Sequence, residues 1–107
     1  KKIGKIEQKH TNIDIAFYSC MDAVVNNDIE RLRMYLDNVD VGRTDYDNRS
    51  LLHIACSEGH IDIIKLLLEK GAKQCHDRWG NTPKDDLNRF LSENEKSLTE
   101  EQKKFVL

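Results

Sequence analysis

Few side chains in this sequence have the type and spacing for chemistry. Its 107 residues include four histidines, three cysteines and 19 acidic residues. Cys75-His76 has the makings of a zinc half-site, but a structural zinc needs a closed tetrahedral set of ligands. Cys20 and Cys56 fall in segments with helical patterning, away from that loop. No metal is expected. Asp85-Asp86 and Glu100-Glu101 resemble acid–base pairs in composition only, because neighbours on a helix diverge by about 100°. Solvated carboxylates are expected at both pairs. His53 and His60 are each possible bases, yet no His/Asp/Glu cluster at catalytic spacing, nucleophile elbow or glycine-rich phosphate loop accompanies them. Neither catalysis nor a cofactor is expected.

The elements that position these residues must fit one small domain or a short array of repeats. Charged residues make up 34% of the chain and hydrophobic ones 38%, with one proline, as suits a helix-rich fold. A net charge of −2 gives no electrostatic case for nucleic acid or anionic membrane as partner. The longest apolar run, Leu66-Leu67-Leu68, is far short of the roughly 20 residues of a membrane span, so no insertion is expected. Lys1-Lys2-Ile3-Gly4-Lys5 has no apolar segment behind it and is not a secretory signal. The missing initiator Met predicts a fragment of a longer protein. Three cysteines without a CxxC pair point to a reducing compartment, and a cytoplasmic location is expected.

Laying the chain over itself reveals a repeat with an offset of 32 residues. Ala23 matches Ala55, Ile29 matches Ile61, Leu32 matches Ile64, Tyr35 matches Leu67 and Asp45 matches Asp77. The same offset carries Asn48 onto Gly80 and Ser50-Leu51 onto Thr82-Pro83. In the central copy, Ser50 is placed to cap a helix through Leu52, Ile54, Ala55 and Cys56, which Gly59 ends. The following segment, Ile61 to Glu69, keeps its polar residues Asp62, Lys65 and Glu69 on one narrow stripe. A helix wet on that stripe alone needs neighbours on more than one side. Gly71 stops it. The equivalent segment of the first copy is polar at Glu30, Arg31 and Arg33, as an end unit of a stack should be.

The stretch Asp45-Tyr46-Asp47-Asn48-Arg49-Ser50-Leu51-Leu52-His53-Ile54-Ala55-Cys56, followed by Gly59-His60 and Gly71-Ala72, resembles the ankyrin repeat. The match restarts at Asp77-Arg78-Trp79-Gly80-Asn81-Thr82-Pro83 and fades after it, covering roughly residues 17 to 91. Asn48 stands for the family glycine, and Asn also tolerates the left-handed region. The two tips are similar, more narrowly, to the C-terminal ankyrin segment of kidney-type glutaminases and to ankyrin segments of plant outward-rectifying potassium channels.

The resemblance implies an all-α fold: a short ankyrin-repeat solenoid of stacked helix-turn-helix units with hairpin-like loops. Its expected division is a basic flexible leader at 1–11, repeats at 12–44, 45–76 and a degenerate 77–96, and at 97–107 a capping helix or the start of a continuation. Asn12 or Asp14 should start the first helix. Ser97-Leu98-Thr99-Glu100 has a capping-box pattern that should start the last one. The resemblance makes Ser50, His53, Gly59, His60, Gly71, Gly80, Thr82 and Pro83 structural, with His53 bonded to the preceding turn and His60 bracing the inter-helix loop. It puts Trp79 at a loop tip, either as a contact anchor or packed over Arg49 or Tyr46. Tyr46, Arg49, Ser57, Glu58, Arg78, Trp79 and Asn81 are the expected partner-binding residues, extended by Arg89 and Phe90. The implied function is non-catalytic protein–protein interaction, the partner being another protein or other domains of its own parent chain. The alternative is an accessory regulatory or oligomer-stabilising domain of an enzyme or ion channel.

Overall fold

In the computed structural model, which describes residues 15–107, most helices begin where a short side chain accepts a free amide hydrogen. The first described helix, α1, covers 15–25. α2 (Ile29–Leu36) is capped by Asp28, whose carboxylate accepts from the Arg31 N–H at 3.2 Å. α3 (Leu51–Glu58) starts on Ser50, whose hydroxyl accepts from the His53 N–H; in return His53 Nδ1 accepts from the Ser50 N–H at 3.1 Å. α4 (Ile61–Glu69) follows after a short turn. α5 (Pro83–Glu93) repeats the reciprocal cap with Thr82 and Asp85, and Pro83 takes the first helical position, where no N–H is missed. A 3₁₀ turn, Glu95–Ser97, leads into α6 (Glu100–Lys104). The expected leader and the start of the first helix lie outside the described residues.

The last helix begins two residues later than Ser97 was expected to start it. Thr99 is the cap, paired reciprocally with Gln102, and Leu98 is extended at φ −70° and ψ 141°. Both Ser97 and Thr99 satisfy the sequence pattern, and the extended Leu98 decides between them. Its helix reaches back to the central copy, where Gln102 Nε2 donates to the Gly59 carbonyl at 2.9 Å. Phe105 and Leu107 pack on the core behind it.

Antiparallel helix pairs bury one continuous core. Phe17, Cys20 and Val24 of α1, Leu32 and Leu36 of α2, Leu52 and Cys56 of α3, Ile63, Ile64 and Leu67 of α4, and Leu87 of α5 belong to it. α4 is wet along Asp62, Lys65 and Glu69 as its pattern requires, with Leu68 at the margin. Beyond the helices, an isolated antiparallel bridge between Thr44 and Ser50 is all the β structure among the described residues. Gly59 ends α3 at φ 70°, and a Cβ there would collide with the Phe90 ring. That close approach lets α5 lie against α3, so Phe90, an expected extension of the partner surface, is used in packing.

Candidate functional site

Two loop tips, one period apart, have the same internal wiring. In the first, Asp45 Oδ1 accepts from the N–H groups of Asp47 and Arg49 at 2.9 and 3.0 Å, and the Asp45 N–H donates to the Arg49 carbonyl. In the second, Asp77 Oδ1 accepts from Trp79 and Asn81, both at 2.9 Å, and the Asp77 N–H donates to the Asn81 carbonyl. Each turn needs a left-handed residue, supplied by Asn48 at φ 60° and Gly80 at φ 83°. A carboxylate that organises its own turn explains why Asp45 and Asp77 recur at the repeat offset.

The tips are fastened to one another. The Arg78 N–H donates to the Asp47 carbonyl at 2.7 Å, and its guanidinium meets the Asp47 carboxylate at 3.2 Å. Tyr46 is 90% exposed and Trp79 62% exposed. Two aromatic rings therefore stand on backbones that are already fixed.

Below the tips lies a buried ionic junction. Arg49 Nη1 is 3.1 Å from Asp77 Oδ2, and its Nη2 is 3.2 Å from Asp86 Oδ2. Arg89 bonds the other Asp86 oxygen. Asp86 is fully buried, so the expected solvated pair Asp85-Asp86 divides: Asp85 stays exposed as the α5 cap partner, and Asp86 turns inward to the arginines. Burial pushes the Asp77 carboxyl up, but the N–H bonds from Asn81 and Trp79, with His53 and Arg49 nearby, outweigh it and hold the group below its ordinary value. Asp85 is lowered as well, chiefly by the Thr82 N–H and then by its hydroxyl.

His53, Asp77 and Asp86 bring three possible metal-ligand atoms within 4.8 Å of one another. They do not make a vacant ligand set. His53 Nδ1 accepts from Ser50, which puts the ring proton on Nε2, and that nitrogen donates to the Asn81 carbonyl at 2.9 Å. His53 has no lone pair left for a cation, and Arg49 supplies the positive charge beside both carboxylates, including the Asp86 Oδ2 that accepts no hydrogen bond. His53 thus ties the start of α3 to the following turn. His60 reaches further than its own loop, with Nε2 3.2 Å from the Val25 carbonyl at the end of α1.

The residues expected to face a partner divide by place. Tyr46, Arg78 and Trp79 gather at the tips. Arg49 does not present its guanidinium outward; only 18% of the side chain is accessible, because Asp77 and Asp86 hold it. Asn81 gives its backbone to His53 and Asp77. Ser57 and Glu58 sit at the opposite end of α3 from the tips, about 10 Å along the axis at 1.5 Å per residue. The Ser57 hydroxyl donates to the Ile54 carbonyl. Cys20 and Cys56 are buried, and burial pushes the Cys56 thiol up to about 12, with the Asp86 charge adding to it. Neither thiol is chemically poised.

The pattern of Ankyrin repeats (3 copies) matches residues 20–85. The mitochondrial liver-isoform glutaminase of Rattus norvegicus is 45% identical over 90 residues, 81% of this chain and 14% of that protein. The potassium channel SKOR of Arabidopsis thaliana is 42% identical over 65 residues, 59% of this chain and 8% of the channel. The serine/threonine-protein kinase VIK of the same plant is 47% identical over 60 residues, 53% of this chain and 14% of the kinase. This chain thus spans a small part of each relative's length. The glutaminase and channel matches agree with the narrower resemblance read from the tips. Among the described residues no helix is long and apolar enough to cross a membrane. With a 32-residue period, twin aspartate-wired turns and a match over 20–85, the chain belongs to the ankyrin repeat family, a fold of protein-interaction modules.

Proposed function

We propose that this chain is a non-catalytic recognition module that holds a protein partner at its loop tips, with Trp79 and Tyr46 as anchors and Arg78 beside them. The observation that carries the reading is the exposure of Trp79 on a turn whose N–H groups from Asp77 to Asn81 are all bonded. Large aromatics of this kind dominate interface energetics, and a fixed backbone lowers the ordering cost of binding. The repeats are read as 12–44, 45–76 and 77–96, and three free thiols support work in a reducing compartment, cytoplasmic on the sequence reading.

A second reading has support of its own: the relatives are long proteins that this chain matches over a seventh or less of their length. On that reading the module serves an enzyme or channel in cis, and its partner is another domain of the same polypeptide. Affinity capture of the endogenous protein followed by mass spectrometry separates the two. A parent chain with a catalytic or membrane domain selects the second reading, and a distinct co-purifying protein selects the first. For either partner, Trp79→Ala should weaken binding at least tenfold while the melting temperature stays within a few degrees. Intact affinity with a large fall in melting temperature would show Trp79 to be a fold residue.

A further inference from the structure

The two ends of the stack differ in chemistry. At the C-terminal end, α5 and α6 expose no large apolar side chain, and Val106 just beyond α6 is the one exposed there. At the N-terminal end, Ile15, Tyr18 and Val25 of α1 and Met34 of α2 are all exposed. The repeat offset gives the meaning of this patch. Arg31 and Met34 in α2 correspond to Ile63 and Leu66 in α4, which are buried, whereas Met34 is 69% exposed. These are positions that the central copy covers and the first copy leaves open. On α1 the spacing of Ile15, Tyr18, Asp22 and Val25 puts all four on one stripe. Asp22 Oδ2 meets Arg31 Nη1 at 2.6 Å, so the stripe of α1 and the open positions of α2 join into one face.

We propose that this face pairs with the same face of a second copy of the chain, across a two-fold axis. Two properties select that occupant. The face is self-complementary in charge: one acid and one base sit within an apolar frame, so a two-fold operation can bring Arg31 of each copy to Asp22 of the other without leaving a net charge. The opposite end exposes one large apolar side chain, Val106, beside the charged faces of α5 and α6, so a head-to-tail stack would set most of the apolar face against charges. A closed dimer buries the apolar patch on both copies at once, with the same type of helix-pair packing that joins the repeats within the chain.

Sedimentation velocity on the 107-residue chain, from about 5 to 500 µM, tests this, with the range spanning typical weak dimers. A concentration-dependent shift from monomer to dimer is expected. Asp22→Arg gives a face with two bases and Arg31→Asp a face with two acids, so each variant alone should remain monomeric. Mixed in equal amounts they should restore a dimer, now a heterodimer. Met34→Glu should abolish association with an unchanged circular dichroism spectrum, which separates a lost interface from a lost fold. A monomer at every concentration would overturn the proposal and leave the face to some other helical element. So would a dimer insensitive to all three substitutions, which would place the interface elsewhere.

Discussion

Gly59 combines two constraints that can be separated by experiment. Its φ of 70° is left-handed, and a Cβ built on it would overlap the Phe90 ring. Gly59→Ala therefore adds a backbone cost of about 1 to 2 kcal/mol and an overpacking cost of about 1 to 3 kcal/mol. The sum, about 2 to 5 kcal/mol, is a large part of the 5 to 15 kcal/mol that ordinarily holds a domain together. At about 4 to 8 °C per kcal/mol, the melting temperature should fall by at least about 8 °C. Urea denaturation followed by circular dichroism gives the free energies. In a Phe90→Ala background the ring is gone, and Gly59→Ala should then cost only the backbone part. The coupling between the two sites should equal the overpacking cost, about 1 to 3 kcal/mol. Equal costs in both backgrounds would refute the steric account. A cost below about 0.5 kcal/mol in the unaltered background would refute both parts.

The remaining predictions concern the carboxylates and the thiols. Asp77 has a lowered folded-state value, so its contribution to stability is present above the unfolded carboxylate value of about 3.9 and is lost as pH falls through the lower folded one. The urea midpoint should hold steady from neutral pH to about 5 and fall below about 4. Asp77→Asn should flatten that decline, and an unchanged slope would remove Asp77 as a cause. In the folded chain an aromatic disulfide reagent should modify Cys75 alone and reach Cys20 and Cys56 only after urea is added; rapid reaction at all three would contradict the burial of the other two.

Much of this fold is local and was therefore readable. Ser50, Thr82 and Gly59 act within one turn of where they stand, and Asp45 and Asp77 build turns from bonds no more than four residues long. Period and helix starts follow from such residues without tertiary information. Asp86 was misread because its partners are set by packing: Arg49 lies 37 positions away, and only the meeting of α3 with α5 brings the charges together. Beside Asp85, it has the look of a solvated carboxylate. His60 was expected to brace the inter-helix loop; it precedes α4, and its bond crosses to Val25, a partner 35 residues back that no local pattern encodes. The candidate site was legible in part: the tips follow from the offset, while the inward turn of Arg49 requires a buried Asp86.

The junction between the central and third copies bears on how this molecule comes apart. Repeat arrays commonly lose their end units first, since each unit contributes a graded apolar contact that can be released alone. Here the third copy holds both carboxylates for Arg49, the carbonyl for His53 and the ring that fills the space over Gly59. Peeling it away would break these ionic, hydrogen-bonded and packing contacts together, with none that can be released alone. Fraying from the C-terminal side is thereby suppressed, and the short, degenerate unit works as a keystone that makes the two copies it joins stand or collapse together.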